Sequence, residues 1–91
     1  MHKLDITKAA AKFIKKLDAK PFRQIVSKIL ALLENPEPND SKSLIGYPEY
    51  RRADIGEFRI IYRIEDDIVK IAAIGRRNDD DVYRKFKRRH G

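Results

Sequence analysis

Hydrophobic residues recur at every third or fourth position between residues 8 and 34, whereas residues 50–74 are rich in Ile, Val, Phe and Tyr and alternate at every second position from Phe58 to Ile64. A chain that changes period once, from that of a helix to that of a strand, forms helices first and strands after, and buries each apolar face against the other. The pattern predicts an α+β fold: an N-terminal strand and an antiparallel helical hairpin packed on an antiparallel sheet, followed by a short C-terminal helix. At 91 residues the chain is the length of a single domain, residues 1–91, with no room for a separate cofactor domain.

Local signals place the elements. His2, Leu4 and Ile6 alternate with Lys3 and Asp5 as a short strand ending at Thr7, which can cap the helix that follows. Over residues 8–17, Ala9, Ala10, Phe13, Ile14 and Leu17 form one apolar stripe, with Lys8, Lys12, Lys15 and Lys16 opposite. Pro21 suits the first turn of a second helix, where its missing N–H loses no partner. Phe22, Ile25, Val26, Ile29, Leu30, Leu32 and Leu33 carry that helix to Glu34. So short a connection predicts antiparallel neighbours.

Pro36 and Pro38 make residues 35–41 a loop, and Leu44, Ile45 and Tyr47 around Gly46 are expected to pack it back onto the body. Residues 50–55, 57–64 and 68–74, separated by Gly56 and Asp66-Asp67, predict a three-stranded meander. In its middle strand Phe58, Ile60, Tyr62 and Ile64 point toward the helices, while Arg59, Ile61 and Arg63 point to an open face. Asp79-Asp80-Asp81 then caps a last helix carrying Val82, Tyr83 and Phe86, its carboxylates meeting the positive helix end and countering Arg76 and Arg77.

Twenty-one Lys and Arg against fourteen Asp and Glu leave a net charge of +7, which favours an anionic partner, nucleic acid first. The two kinds of cation are not spread evenly: residues 1–49 hold eight Lys and one Arg, residues 50–91 three Lys and nine Arg. Lysine on helices is ordinary solvated surface. A guanidinium offers a planar fork of donors that grips phosphate and stacks on bases, so the arginine face of the sheet is the candidate phosphate site. The alternative is cross-strand pairing of Arg59 and Arg63 with Asp54, Glu57 or Glu65.

The chain has no cysteine, which removes disulfides, thiol nucleophiles and thiolate metal sites and fits a reducing cytosol. No signal peptide or apolar span is visible, so a soluble, cytoplasmic protein is expected, with no membrane partner. His2 and His90 lie at the chain ends, which excludes a Cys–His dyad or a Ser–His–Asp triad. The acidic run 79–81 is contiguous and does not converge on a metal, so neither metal nor cofactor is expected. RNA cleavage by the substrate's own 2'-hydroxyl fits what is left: the protein must align the nucleophile, stabilise charge on the phosphate and move protons. Arginines serve the second task. Tyr83, flanked by Arg84 and a turn beyond Arg77, suits the third; it equally suits an aromatic anchor for the last helix.

The run Glu57-Phe58-Arg59-Ile60-Ile61-Tyr62, preceded by Tyr50-Arg51-Arg52 and Gly56 and followed by Gly75-Arg76-Arg77 and Val82-Tyr83, resembles the RelE/ParE superfamily of type II toxins. The likeness extends to Leu33-Glu34-Asn35-Pro36 and to Ser43-Leu44 with Gly46. It implies a toxin neutralised by a cognate antitoxin. In the RelE-like branch it implies an endoribonuclease, an mRNA interferase that enters the ribosomal A site and inhibits translation without metal. Arg59 and Arg77 match the residues that would hold the scissile phosphate, and Tyr83 the one that would orient or deprotonate the nucleophile. Arg51 and Arg52 lie where that branch carries basic residues, and with Arg63 and Arg76 they complete the expected RNA-binding set. One place departs from the pattern: Ala53-Asp54 interrupts the basic alternation, so a cation that could assist proton transfer is missing or moved. The alternatives are a ParE-like inhibitor of DNA gyrase on the same fold and a non-catalytic RNA-binding module.

Overall fold

A computed structural model of the chain describes residues 1–78 and 81–90, the last two in backbone only. The capping expected of Asp79 and Asp80 and the role of the His90 side chain therefore lie outside the described residues. The element order is β1 (Lys3–Ile6), α1 (Lys8–Lys15), α2 (Ala19–Glu34), β2 (Lys42–Leu44), β3 (Tyr47–Ile55), β4 (Phe58–Glu65), β5 (Ile68–Arg76) and α3 (Asp81–His90).

The expected meander, β3 to β5, is the centre of a larger sheet ordered β1-β5-β4-β3-β2. β1 adds one edge, pairing parallel to β5 from Lys3 opposite Ile68 to Ile6 opposite Ile71. β2 adds the other, antiparallel to β3. Two-residue hairpins join the strands of the meander. Gly56 and Asp66 begin them at φ 58° and 54°, in the left-handed region that glycine enters freely and aspartate tolerates.

Thr7 caps α1, its hydroxyl accepting from the Ala10 amide at 3.2 Å. Pro21 lies in the first turn of α2, where its fixed φ fits the helix. Both helices cover one face of the sheet. Ala10, Ile14, Ile25, Ile29, Leu32 and Leu33 pack with Phe58, Ile60, Tyr62, Val69, Ile71 and Ile74 in the larger core. Phe22 and Leu30, also apolar positions of α2, stay exposed: Leu30 lies off the arc set by Ile25, Ile29, Leu32 and Leu33, and Phe22, on that arc, sits in the first turn of the helix.

The loop at 35–41 is held by side chains as well as by its prolines. The fully buried Tyr62 donates its hydroxyl to the Pro36 carbonyl at 2.6 Å. Arg51 donates to the Ser41 hydroxyl from Nε (3.1 Å) and Nη2 (2.8 Å), and Lys28 reaches Asp40 at 2.9 Å. Leu44 is buried as expected, whereas Ile45 is 97% exposed at the tip of the β2–β3 turn.

The second face of the sheet is not open. The helix α3 crosses it, and Val82 and Phe86 pack with Leu44, Tyr50, Ile61, Ala72 and Ala73 in a second core. The strand β5 makes room by inserting one residue: Ile61 pairs with Ala73 but Tyr62 with Ile71, so both Ala72 and Ala73 serve this face. The expected last helix is thus amphipathic, with Phe86 in the core and Lys85 over the Phe13 ring at 3.9 Å. No described helix is long and apolar enough to cross a membrane.

Candidate phosphate site

Strand alternation divides the arginines before any contact is considered. In β3, Ala53 and Ile55 join the helix-side core and Tyr50 the α3-side core. Arg51 therefore shares the helix side with Ala53, and Arg52 and Asp54 share the α3 side. In β4, Arg59 and Arg63 flank Ile61 on the α3 side.

Three of the expected residues meet at one end of that side. Asp54 stands opposite Arg59 in the β3–β4 register. Its carboxylate accepts from Arg59 Nε at 2.5 Å and from Nη2 at 3.0 Å. Arg59 Nη1 donates to the Tyr83 hydroxyl at 2.9 Å, and the guanidinium lies 5.6 Å from the Tyr83 ring centre. Arg77, just past β5, brings Nη1 to 3.7 Å from Asp54 Oδ2. Arg59 and Arg77 so converge on Asp54, and Tyr83 joins them through Arg59. Tyr83 packs against the second core, as an aromatic anchor of the last helix would, and presents its hydroxyl to the arginine.

What brings α3 this close is Gly75, the partner of Arg59 in β5. A Cβ there would stand 2.7 Å from Asp81 Oδ2 and 3.1 Å from the Val82 Cα, nearer than atoms pack. Asp81 locks the same junction, accepting from the Arg76 amide at 3.2 Å and pairing with Lys85 at 3.2 Å. Burial opposes its ionisation, yet that amide together with Lys85 and Arg84 carries its pKa below the usual aspartate value.

Electrostatics at the site are those of a cation cluster around one carboxylate. The hydrogen bonds from Arg59, outweighing burial and aided by the charges of Arg59, Arg52 and Arg77, lower the Asp54 pKa. Arg59 is correspondingly raised by Asp54 first, and burial only partly offsets this. A polar hollow of about 210 Å³ opens here between Asp40, Lys42, Arg52, Asp54 and Arg59. It adjoins a more apolar groove of about 330 Å³ lined by Leu44, Ile45, Tyr47, Arg52, Tyr83, Phe86 and Lys87, the two sharing Arg52. Among the described residues no three His, Asp or Glu converge where they could hold a metal.

The other expected arginines lie elsewhere. Arg51 is spent on Ser41 and comes within 4.0 Å of Glu37. Arg76 pairs with Glu57 at 2.6 Å and lies over the Phe58 ring, on the helix side. Arg63 pairs with Glu65 at 3.1 Å, which also binds Lys70. Cross-strand pairing is therefore realised by Arg59 with Asp54, whereas Arg63 pairs within its own strand, with Glu65 two residues on. Sequence reasoning missed Lys42 and Lys87. The first is Arg52's cross-strand neighbour, which no local signal reveals; the second lies one helical turn past Tyr83, a spacing that could have found it.

Residues 4–81 match the family described as the ParE toxin of type II toxin–antitoxin systems, parDE. Among solved structures, a chain of the intact E. coli RelBE toxin–antitoxin complex is similar at 25% identity over 84% of this chain and 96% of that one, with a TM-score of 0.73. The archaeal RelE–RelB complex from Pyrococcus horikoshii gives 25% identity over 86% and 97%, with a TM-score of 0.75. The isolated E. coli RelE toxin shares the fold over all of both chains, with a TM-score of 0.75 at 23% identity. No curated protein matches the sequence.

Proposed function

This chain belongs to the ParE toxin family and is a type II toxin of the RelE/ParE superfamily; from that premise we propose that it is a metal-independent endoribonuclease cutting messenger RNA in the ribosomal A site. The observation that carries the proposal is the junction of Arg59, Arg77 and Tyr83 at one end of the α3 side of the sheet. In the reaction the 2'-oxygen attacks the adjacent phosphorus and the 5'-oxygen leaves. The 2'-proton passes to a base, the leaving oxygen gains a proton, and the products are a 2',3'-cyclic phosphate and a 5'-hydroxyl.

Arg59 and Arg77 supply fixed positive charge where negative charge grows on the phosphate oxygens. Tyr83, held by Arg59 at 2.9 Å, orients or deprotonates the 2'-hydroxyl. Arg52 and Lys42 extend the positive hollow along the RNA backbone, and the groove between Tyr47, Tyr83 and Phe86 has the size and aromatic lining to receive a base. Ribosome and message are the partners of this reading. An antitoxin that neutralises the chain is proposed from the RelBE and RelE–RelB complexes it resembles.

Purified protein added to programmed ribosomes should yield cleaved message ending in 2',3'-cyclic phosphate. Intact message at saturating protein defeats the reading. The ParE description of the matching family favours one other, inhibition of DNA gyrase; loss of supercoiling in the presence of the protein, with message left intact, would establish it.

A further inference from the structure

The acidic residue at position 54 stands where the resemblance leads one to expect a cation, and it occupies the centre of the site. An arginine carries five N–H donors. Asp54 takes Nε and one N–H of Nη2, and Tyr83 takes one N–H of Nη1. One N–H on each terminal nitrogen remains to donate to an anion. The Arg59 side chain is only 13% exposed and its Asp54 partner 36%, and both line the polar hollow.

We propose that Asp54 is the positioning residue of the phosphate site, binding the side edge of the Arg59 guanidinium so that its remaining donors face the substrate and Nη1 stays on Tyr83. The proposal rests on the ribonuclease reading for its substrate, and on the geometry of the chain for the positioning itself. A basic residue at this place would add attraction for RNA but leave Arg59 to sample its rotamers, whose restriction a long side chain resists. The carboxylate exchanges some ground-state attraction for alignment. The charges facing it are Lys42 from β2, Arg52 from its own strand, Arg59 from β4 and Arg77 beyond β5, with Asp40 across the hollow.

The expected signature is a loss of rate without a loss of binding. Single-turnover cleavage at saturating ribosomes should fall about 10- to 100-fold in Asp54→Ala, the scale of a misaligned catalytic group, with half-saturation unchanged or tighter. Asp54→Asn, which keeps one acceptor oxygen, should lose less. In an Arg59→Ala background Asp54→Ala should cost nothing further, because the aspartate acts through that arginine. A readout independent of cleavage is the Nε–Hε resonance of Arg59 in the free chain. It should be sharp and protected in the wild type, and shifted and rapidly exchanging in Asp54→Ala, with thermal unfolding confirming that the variant folds. An Arg59 resonance unmoved by Asp54→Ala, or independent losses that add in the double variant, overturns the proposal. A wild type that cleaves no message defeats the ribonuclease reading instead, and the resonance then decides the positioning by itself.

Discussion

The strand β4 carries two arginines on the same side, four residues apart, and the ends of the strand use them differently. Arg63 is enclosed in an ion-pair cluster, with Glu65 at 3.1 Å and Lys70 on the same carboxylate, beside a small hollow that includes Asp5 and Tyr50. Arg59 is bound along one edge, touches a phenol, and is joined by Arg77 and Arg52 around a single aspartate. One end neutralises its charge and the other keeps a surplus. Residue type and strand face are the same, so the difference comes from the partners: β3 and α3 supply those of Arg59, whereas Arg63 meets Glu65 of its own strand, on a carboxylate shared with Lys70 of β5.

The comparison is broken most strongly by paired truncation. Arg59→Ala should lower message cleavage about 10²- to 10³-fold, the usual cost of removing one donor to a developing oxyanion, while Arg63→Ala stays within about threefold, the scale of a surface ion pair. Equal losses, measured by single-turnover cleavage, would erase the distinction. Next in size is Tyr83→Phe, which keeps the ring against the second core but removes the hydroxyl. Its cleavage should fall about 100-fold, as for loss of a proton-handling group, with an unfolding midpoint near wild type.

Gly75→Ala should act through the fold. Its added carbon meets Asp81 and Val82, and overpacking of this kind costs about 1–3 kcal/mol, which calorimetry would read as a drop in Tm together with lost activity. Arg51→Ala should be smaller and cleaner: about 1 kcal/mol from the lost bonds to Ser41, seen in denaturant unfolding, and no change in the salt slope of RNA binding. A reduced slope would return Arg51 to the RNA surface. The smallest effect is acid dependence. The Asp54 pKa is depressed in the folded chain by Arg59, so its stabilising contribution is full above the ordinary aspartate value and is lost as pH falls below about 4. Asp54→Asn should flatten that part of the stability profile, and a profile of unchanged steepness assigns the acid sensitivity to other carboxylates.

Much of the architecture is local and therefore legible. The period change separates helices from strands, and alternation in β4 correctly assigns Phe58, Ile60 and Tyr62 to one side and Ile61 to the other. The same parity would have turned Arg51 away from Arg52, had it been applied to β3. What sequence does not display is non-local. The parallel pairing of β1 with β5 joins segments some 65 residues apart, and β2 is three residues long, too short to show a period. The convergence of Tyr83 on Arg59 depends on the β4–β5 register, which sets Gly75 opposite Arg59, and on the helix that this glycine admits. The arginines were visible as a set; which of them form a site was decided by pairing.

The central claim is that phosphate is held at the Arg59 end of β4. Titration of the folded chain with an RNA oligonucleotide blocked by 2'-O-methyl groups, followed through the arginine Nε–Hε resonances, tests it directly. The account predicts that Arg59 and Arg77 shift saturably while Arg63 and Arg51 stay in place; shifts at Arg63 with Arg59 and Arg77 unmoved would contradict it.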